Sequence, residues 1–515
     1  MLRIFNVKKH WKKILLAALS GMLCFLAFPP FEFALLGWVC VIPLLFAIRG
    51  SGPRRAFWYA YLSGLVFFGC LLSWLVNVTV PGTIILVLIL SAFYGLFGLV
   101  TGIAFKYSMD FLLLPFVWVV LEYIRSHILT GFPWGILGYS QYRNMKLIQI
   151  ADFTGAYGVS FVLTVFNVAL FTLLIRSKRR VPCMVIALLF MLMSTSYGMY
   201  RLNNLNSWGY SRMSVVQGNI PQQMKWDSRY AEEIIDVYSG LTRQAAKDSP
   251  DMIIWPETAY PYLVGASVDP AEEINSLAAE TGIPILAGIV SSGSAGYYNS
   301  AILFTGGKKL KEVYRKIHLV PFGEYVPFGR YFDFLRGHID KPIGDFERGD
   351  EYTLFKVKSM QFSGQKGDGS VMRRMNFYKF GVLICFEDIF PYLARTFVRE
   401  GAGFLVNITN DAWFGETGAP AQHLQASVFR AVENRVPVVR AANTGISCFV
   451  DFTGEIVSIL EEEGKSIFVR GYDTAAVNMC ARRTYYTHYG DIFVYFCGFI
   501  IVLLVVMEAF LARRK

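Results

Sequence analysis

Apolar residues run along this chain in two regimes. From residue 14 to 200 they come in long blocks, and a last block covers 491–511; between 205 and 485 they form short runs broken by polar residues. A helix crossing a bilayer needs about 20 predominantly apolar residues, because its backbone polar groups must be satisfied within the segment. The blocks at 14–29, 33–48, 57–79, 83–105, 111–124, 155–175, 181–200 and 491–511 are therefore expected to be spans, about eight in all. Pro29-Pro30 between the first two predicts a tight hairpin. The expected organisation is a membrane domain over 1–204, a water-facing domain over 205–485, and a terminal span with its tail over 486–515.

The middle segment alternates β-rich runs with helical stretches. Strands are expected at Met213–Gln217, Met252–Trp255, Pro284–Val290, Ala301–Phe304, Gly381–Cys385, Gly403–Ile408, Val436–Ala441 and Ser447–Phe452. Helices are expected over 229–247, 270–281 and 421–434, so this is a layered α/β domain. The stretch 363–374 (SGQKGDGSVMRR) is rich in Gly, Ser and charge and reads as a flexible loop.

Composition sharpens the division. The hydrophobic fraction is 54% and the mean hydropathy +0.42, an excess that the apolar blocks account for. The net charge of +11 is carried largely at block ends and not on an aromatic-interleaved face, which disfavours nucleic acid as a partner. With the N-terminus inside, Arg3, Lys8, Lys9, Lys12 and Lys13, then Arg49, Arg54 and Arg55, then Lys106, then Arg176, Lys178, Arg179 and Arg180, then Arg513, Arg514 and Lys515 fall on one side of the spans. The opposite loops 30–32 and 80–82 hold no Lys or Arg, and the longer 125–154 holds Arg125, Arg143 and Lys146. Positive residues concentrate on the cytoplasmic side. Both termini are thus expected inside, and 205–485 outside. The N-terminus has the charge and apolar run of a signal peptide, but lacks a small-residue cleavage site and leads directly into further spans, so retention is expected. Eight cysteines without CxxC spacing, six histidines and no HExxH give no metal site, no disulfide framework and no implied cofactor.

Three segments hold candidate chemistry: IIWPE at 253–257, YRKIHLVPFGE at 314–324 and GVLICFED at 381–388. Singly, a Cys ending an apolar strand is core, a Glu after Trp-Pro is a surface residue and a Lys is solvated. Together they are the parts of one reaction. A thiol needs a base or a nearby cation to act as a thiolate. Glu257 is placed to take the proton, and Lys316 to favour the thiolate and stabilise an oxyanion.

The order Glu257, Lys316, Cys385 in these contexts resembles the nitrilase (carbon–nitrogen hydrolase) superfamily, and within it the membrane branch, apolipoprotein N-acyltransferase. The resemblance extends through AFPP at 27–30, GFPWGILGYSQ at 131–141, QGNIPQQMKWD at 217–227, NITNDAWFG at 407–415 and RAANTG at 440–445. It implies an αββα sandwich on an eight-helix membrane base, with Glu257 as general base, Lys316 as oxyanion and thiolate stabiliser and Cys385 as nucleophile. It further implies supporting roles for Glu324 and Glu387, and substrate contacts at Trp226, Phe386 and Trp134. The family often has Tyr after the nucleophile; here Phe386 removes any hydroxyl role. The implied reaction moves an acyl chain from a membrane phospholipid, with phosphatidylethanolamine the expected donor, through a Cys385 thioester to the α-amino group of a diacylglyceryl-cysteine apolipoprotein. The implied location is the inner membrane, with the catalytic domain periplasmic.

Other residues have competing readings. Glu122 is either an intramembrane functional carboxylate or a partner of Arg125. His318 reads as a structural hydrogen-bonding residue, Phe132 and Trp134 also as interfacial aromatics, and Asn410 and Asp411 as loop-shaping residues. Trp226, Phe322, Tyr325, Phe328 and Phe386 are expected to form an apolar mouth that keeps water from a thioester. Spans nearly free of charge disfavour a transporter. A membrane-anchored amidase using the same three residues with water as acceptor stays open.

Overall fold

The computed structural model describes residues 2–107, 110–265, 272–293, 296–307, 312–321, 323–325, 346–365, 371–480 and 483–513. The expected mouth residues Phe322 and Phe328 lie outside them. The chain divides into two compact units, 1–204 with 489–515, and 205–488.

The first unit is helical. Among the described residues three helices are long and apolar enough to cross a membrane: Val80–Tyr107, Ala156–Leu174 and Arg180–Asn204. At 1.5 Å per residue they measure about 28–42 Å. Leu2–Leu26, Pro53–Leu71, Asp110–His127 and Ile492–Arg513 are further helices of this unit. Two of the expected spans are not single helices. The 57–79 block runs as helix only to Leu71 and continues as the short turn Ser73–Asn77. The 33–48 block breaks into Ala34–Trp38 and Ile42–Ile48. The buried Asn167 stabilises that break, accepting from Val41 N at 2.9 Å and donating to Gly37 O at 3.0 Å. Helices Pro53–Leu71 and Val80–Tyr107 pack through small residues: a Cβ on Gly98 would lie 2.4 Å from both Ala56 O and Ala60 Cβ.

The second unit holds thirteen strands among its described residues: β1 (Ser207–Gln217), β2 (Met252–Ile254), β3 (Leu263–Val264), β4 (Ile285–Ser292), β5 (Tyr297–Phe304), β6 (Val313–Arg315), β7 (Phe355–Gln365), β8 (Val371–Ile384), β9 (Phe404–Thr409), β10 (Val438–Ala442), β11 (Cys448–Val450), β12 (Ile456–Ile459) and β13 (Gly471–Cys480). They join in the order β12-β11-β10-β9-β8-β7-β1-β2-β4-β5-β6, with β13 on β1 and β3 on β4. Two parallel cores, β1-β2-β4 and β8-β9-β10, are linked by a short β1–β7 pairing. β1 approaches β10 and β5 approaches β8 although these strands are far apart in the ladder, so the ladder folds into two facing layers. Helices Ala231–Ala246 and Glu272–Thr281 cover one layer, Pro391–Arg399 and Ala419–Asn434 the other. The β2, β9 and β10 strands are buried along their whole length, the mark of strands covered on both faces.

The expected loop at 363–374 is corrected. β7 and β8 pair antiparallel from Phe355↔Phe380 out to Gln365↔Val371, so 363–365 and 371–374 are strand. Ladder bonds come from the main chain, and a Gly- and charge-rich composition does not prevent them.

Candidate functional site

Glu257 follows the C-terminal end of β2, Cys385 the C-terminal end of β8, and Lys316 the end of β6. Parallel strands present residues at this edge by construction. The WPE segment is anchored by Trp255, which stacks on Tyr238 at 4.9 Å and donates Nε1–H to Thr242 Oγ1 at 2.8 Å. Gly288 of β4 lets the chain pass: a Cβ there would sit 2.4 Å from Pro256 O and 2.6 Å from Glu257 Cα. The next residue, Thr258, has φ +46°, a conformation β-branched residues rarely adopt.

Four side chains then converge. Lys316, 1% exposed, places Nζ 2.9 Å from Glu324 Oε1 and 3.6 Å from Glu257 Oε1. Asn299 of β5 donates Nδ2–H to both carboxylates, at 2.7 Å to Glu257 Oε1 and 2.9 Å to Glu324 Oε1. Glu324 is held in turn by Val320 N–H at 2.8 Å. All these bonds reach Glu257 through Oε1; among the described residues Oε2 has no hydrogen-bond donor. Together Glu324 and Glu257 hold the Lys316 ammonium well above its ordinary pKa, against burial, so it is a permanent cation.

Cys385 is half-buried and has φ +53°, a sharp elbow between β8 and the short turn Cys385–Ile389. Asn407 Nδ2–H donates to its carbonyl at 3.0 Å. Burial first, then the Glu257 charge, push the thiol well above its ordinary value, against the pull of Lys316 and a hydrogen bond with Thr409. The resting sulfur is therefore a neutral thiol, and a thiolate has to be made by proton transfer during reaction. A carboxylate with one free oxygen, a fixed ammonium and a thiol on an elbow are the chemical equipment for that step.

Glu387 is fully buried and lies behind the elbow. It accepts from Ile384 N–H at 2.8 Å, Ile317 N–H at 2.7 Å, His318 N–H at 2.9 Å and Tyr314 Oη–H at 2.9 Å. One carboxylate thus ties the chain before the nucleophile to the chain after Lys316. Burial pushes it up to about 7. His318 is lowered to about 4 by burial and by Lys316, stacks on Phe390 at 3.8 Å and hydrogen-bonds Tyr392 Oη at 2.9 Å, a neutral structural residue.

The expected aromatic contacts divide. Trp226 is 57% exposed, and Phe386 packs edge-on to Phe390 at 5.1 Å. Trp134 belongs to the other unit and is buried there, 5.2 Å from Trp74, its carbonyl accepting from Arg125 at 2.6 Å. Arg125 also donates to Phe132 O at 3.0 Å, while Glu122 accepts from Leu137 N–H at 2.8 Å; both side chains tie the GFPWGIL segment to their helix.

Three features escape a reading of the motifs. Asn299 stands beside Ser300 in an otherwise apolar and aromatic strand. Lys225 sits beside the more conspicuous Trp226; it is buried, donating to Glu257 O at 3.0 Å and Thr258 Oγ1 at 3.2 Å. A buried charge network includes Arg440 with Asp388 at 3.1 Å and Asp411 at 3.3 Å, and His423 with Asp388 at 2.7 Å. Among the described residues no group of three or more His, Cys, Asp or Glu is placed to hold a metal ion.

Residues 20–169 match the apolipoprotein N-acyltransferase N-terminal domain, and residues 212–481 match carbon-nitrogen hydrolase. The chain is 36% identical to the apolipoprotein N-acyltransferase of Geobacter metallireducens, covering 97% of this chain and 95% of that one. It is 32% identical to that of Brucella melitensis (87% and 88% covered) and 30% identical to that of Chlorobaculum tepidum (94% of each). Among solved structures, it is similar to Saccharomyces cerevisiae Nit3, a member of branch 10 of the nitrilase superfamily, at 20% identity and TM-score 0.37 over 53% of this chain and 91% of that one. The chain belongs to the apolipoprotein N-acyltransferase family.

Proposed function

We propose that this protein transfers an acyl chain from a membrane phospholipid to the α-amino group of the N-terminal diacylglyceryl-cysteine of an apolipoprotein. The observation that carries the reading is the convergence of Glu257, Lys316 and Cys385 at one strand edge of a chain whose family is apolipoprotein N-acyltransferase.

In the first half-reaction Glu257 Oε2 takes the Cys385 Sγ–H proton as Sγ attacks the ester carbonyl carbon. The oxyanion that forms is stabilised by Lys316 Nζ. Collapse breaks the ester C–O bond, and Glu257 returns the proton to the leaving alkoxide; a lysophospholipid departs and a thioester remains. In the second, the α-amino nitrogen attacks the thioester carbonyl and gives a proton to Glu257. The C–S bond breaks and the sulfur is reprotonated. A thioester is more reactive than the amide formed, so no nucleotide is needed. Asn299, Glu324 and Glu387 hold the reacting groups in register; Trp226, Phe386 and Tyr325 line the approach of the lipid.

The donor is phosphatidylethanolamine. The first unit, with its C-terminal helix, forms an eight-span base in the inner membrane, with 205–485 periplasmic and both termini cytoplasmic, as the Lys/Arg distribution supports.

The test is mass spectrometry of the purified full chain incubated with phospholipid vesicles. An acyl adduct on Cys385 is expected, discharged to an N-acyl product by a diacylglyceryl-cysteine peptide and absent from Cys385→Ala. Free fatty acid released at a rate the peptide does not change makes the protein a hydrolase and overturns the proposal.

A further inference from the structure

The charges of the site do not balance on the three expected residues. Lys316 is bound by Glu324 at 2.9 Å and lies 3.6 Å from Glu257. One ammonium between two carboxylates leaves a net charge of about −1 in a buried place, where uncompensated charge is costly. Proton transfer from Cys385 to Glu257 does not remove that charge; it moves it to sulfur and then to the acyl oxygen. Arg440, another cation that acts on Cys385, is already bound by Asp388 and Asp411.

Lys225 meets the need. It is 4% exposed, its Nζ donates to the main-chain oxygen of Glu257 at 3.0 Å and to Thr258 Oγ1 at 3.2 Å, and among the described residues no carboxylate pairs with it. Its two bonds close on the turn whose second residue, Thr258, is held at φ +46°. A long, flexible cation has been buried against neutral oxygens directly behind the candidate base, where a methionine or leucine would pack without desolvation cost.

We propose that Lys225 is a second ammonium of the active site, a positioning residue that holds the Glu257–Thr258 turn and supplies the counter-charge for the negative charge passing from Glu257 to Cys385 to the acyl oxyanion. This rests on the acyl-transfer reading above. Burial brings Lys225 down to about 7, against the Glu257 carboxylate, from the turn after β2, and the thiolate form of Cys385, from the elbow after β8, both of which favour its charged form. A depressed lysine is charged below that value and neutral above it, so the counter-charge is present in mild acid and lost as pH rises through about 7.

The experiment measures single-turnover Cys385 acylation by phosphatidylethanolamine vesicles, pH 5.5 to 9, for wild type, Lys225→Met, Lys225→Arg and Glu257→Gln, each checked for thermal unfolding. Wild type should show a falling limb near pH 7. Lys225→Met should acylate about 10²-fold more slowly at low pH, with KM for lipid unchanged and the limb gone. Lys225→Arg, charged throughout, should recover part of that rate and carry it to alkaline pH. Should the Met variant not fold, the displacement of the limb between wild type and Lys225→Arg decides. Lys225→Met acylating like wild type, or Met and Arg losing equally at every pH with the limb intact, overturns the proposal. Absence of any wild-type thioester, or a fully active Glu257→Gln, instead overturns the acyl-transfer reading itself.

Discussion

Replacing Lys316 by Met tests the electrostatics of the site most directly. The side chains are of similar length, so packing is kept while the charge is removed. What remains is Glu257 and Glu324, both bound to the same Asn299 amide at 2.7 and 2.9 Å, with no ammonium between them. Breaking a buried ion pair by deleting one partner costs about 3–5 kcal/mol. For a unit of this size, at roughly 2 °C per kcal/mol, its melting temperature should fall by about 6–10 °C. Two like carboxylates so close favour protonation of one of them. The variant should therefore regain stability as pH falls toward 5. Wild type should show no such gain from this cluster, because the Lys316 contribution is lost only far above neutral pH. Acylation should fall at least about 10²-fold, the scale of a lost oxyanion donor. A second change separates the two effects. Lys316→Met with Glu324→Gln removes one of the orphaned charges and should restore most of the stability, but none of the acylation. The assays are thermal unfolding at pH 5.5 and 8 and mass spectrometry of the Cys385 thioester. A double variant that regains acylation would refute the reasoning, since the cation would then serve only to neutralise Glu324.

Glu257→Gln should prevent thioester formation by about 10²-fold or more, because an amide cannot accept the thiol proton; normal acylation by this variant argues against its role as base. The Glu387 carboxyl is raised to about 7, so the stability it contributes is present below its ordinary value and lost as pH rises through about 7. The melting temperature of the catalytic unit should decline between pH 5 and 8, and Glu387→Gln should flatten that decline; identical pH slopes in the two proteins count against it. A periplasm-active reporter fused after residue 205 should be functional, and one fused after Lys515 silent, whereas the opposite pattern reverses the proposed topology.

Much of this protein is local in origin and was legible in the chain. Long apolar blocks announce apolar helices, and three of the described ones are long and apolar enough to cross a membrane, because a bilayer imposes length and hydrophobicity residue by residue. Short apolar runs such as Phe404–Thr409 announce strands covered on both faces. The two helices Ala231–Ala246 and Ala419–Asn434 lie within about two residues of the expected stretches. Glu257, Lys316 and Cys385 stand at strand ends inside distinctive motifs, and each motif is contiguous in sequence.

What the chain did not disclose depends on distance in space. The break in the 33–48 block is made by Asn167, more than a hundred residues away. The 363–374 stretch becomes a hairpin because its two halves pair with each other, a property of register and not of composition. Glu387 was recognised as an acidic position, but that it ties four donors from two segments together is visible only once the fold brings Tyr314, Ile317 and His318 to the end of β8. Asn299 and Lys225 carry no local signal, since a buried polar residue is identified by what surrounds it. The thiol is the clearest case: a Cys in CFED reads as a nucleophile, but whether it rests as thiol or thiolate is decided by the burial and the Glu257 charge that the fold brings to it. Sequence by itself determined the types of group available and the elements that carry them. Tertiary structure decided their protonation and partners, because desolvation and Coulomb interactions act through space and not along the chain.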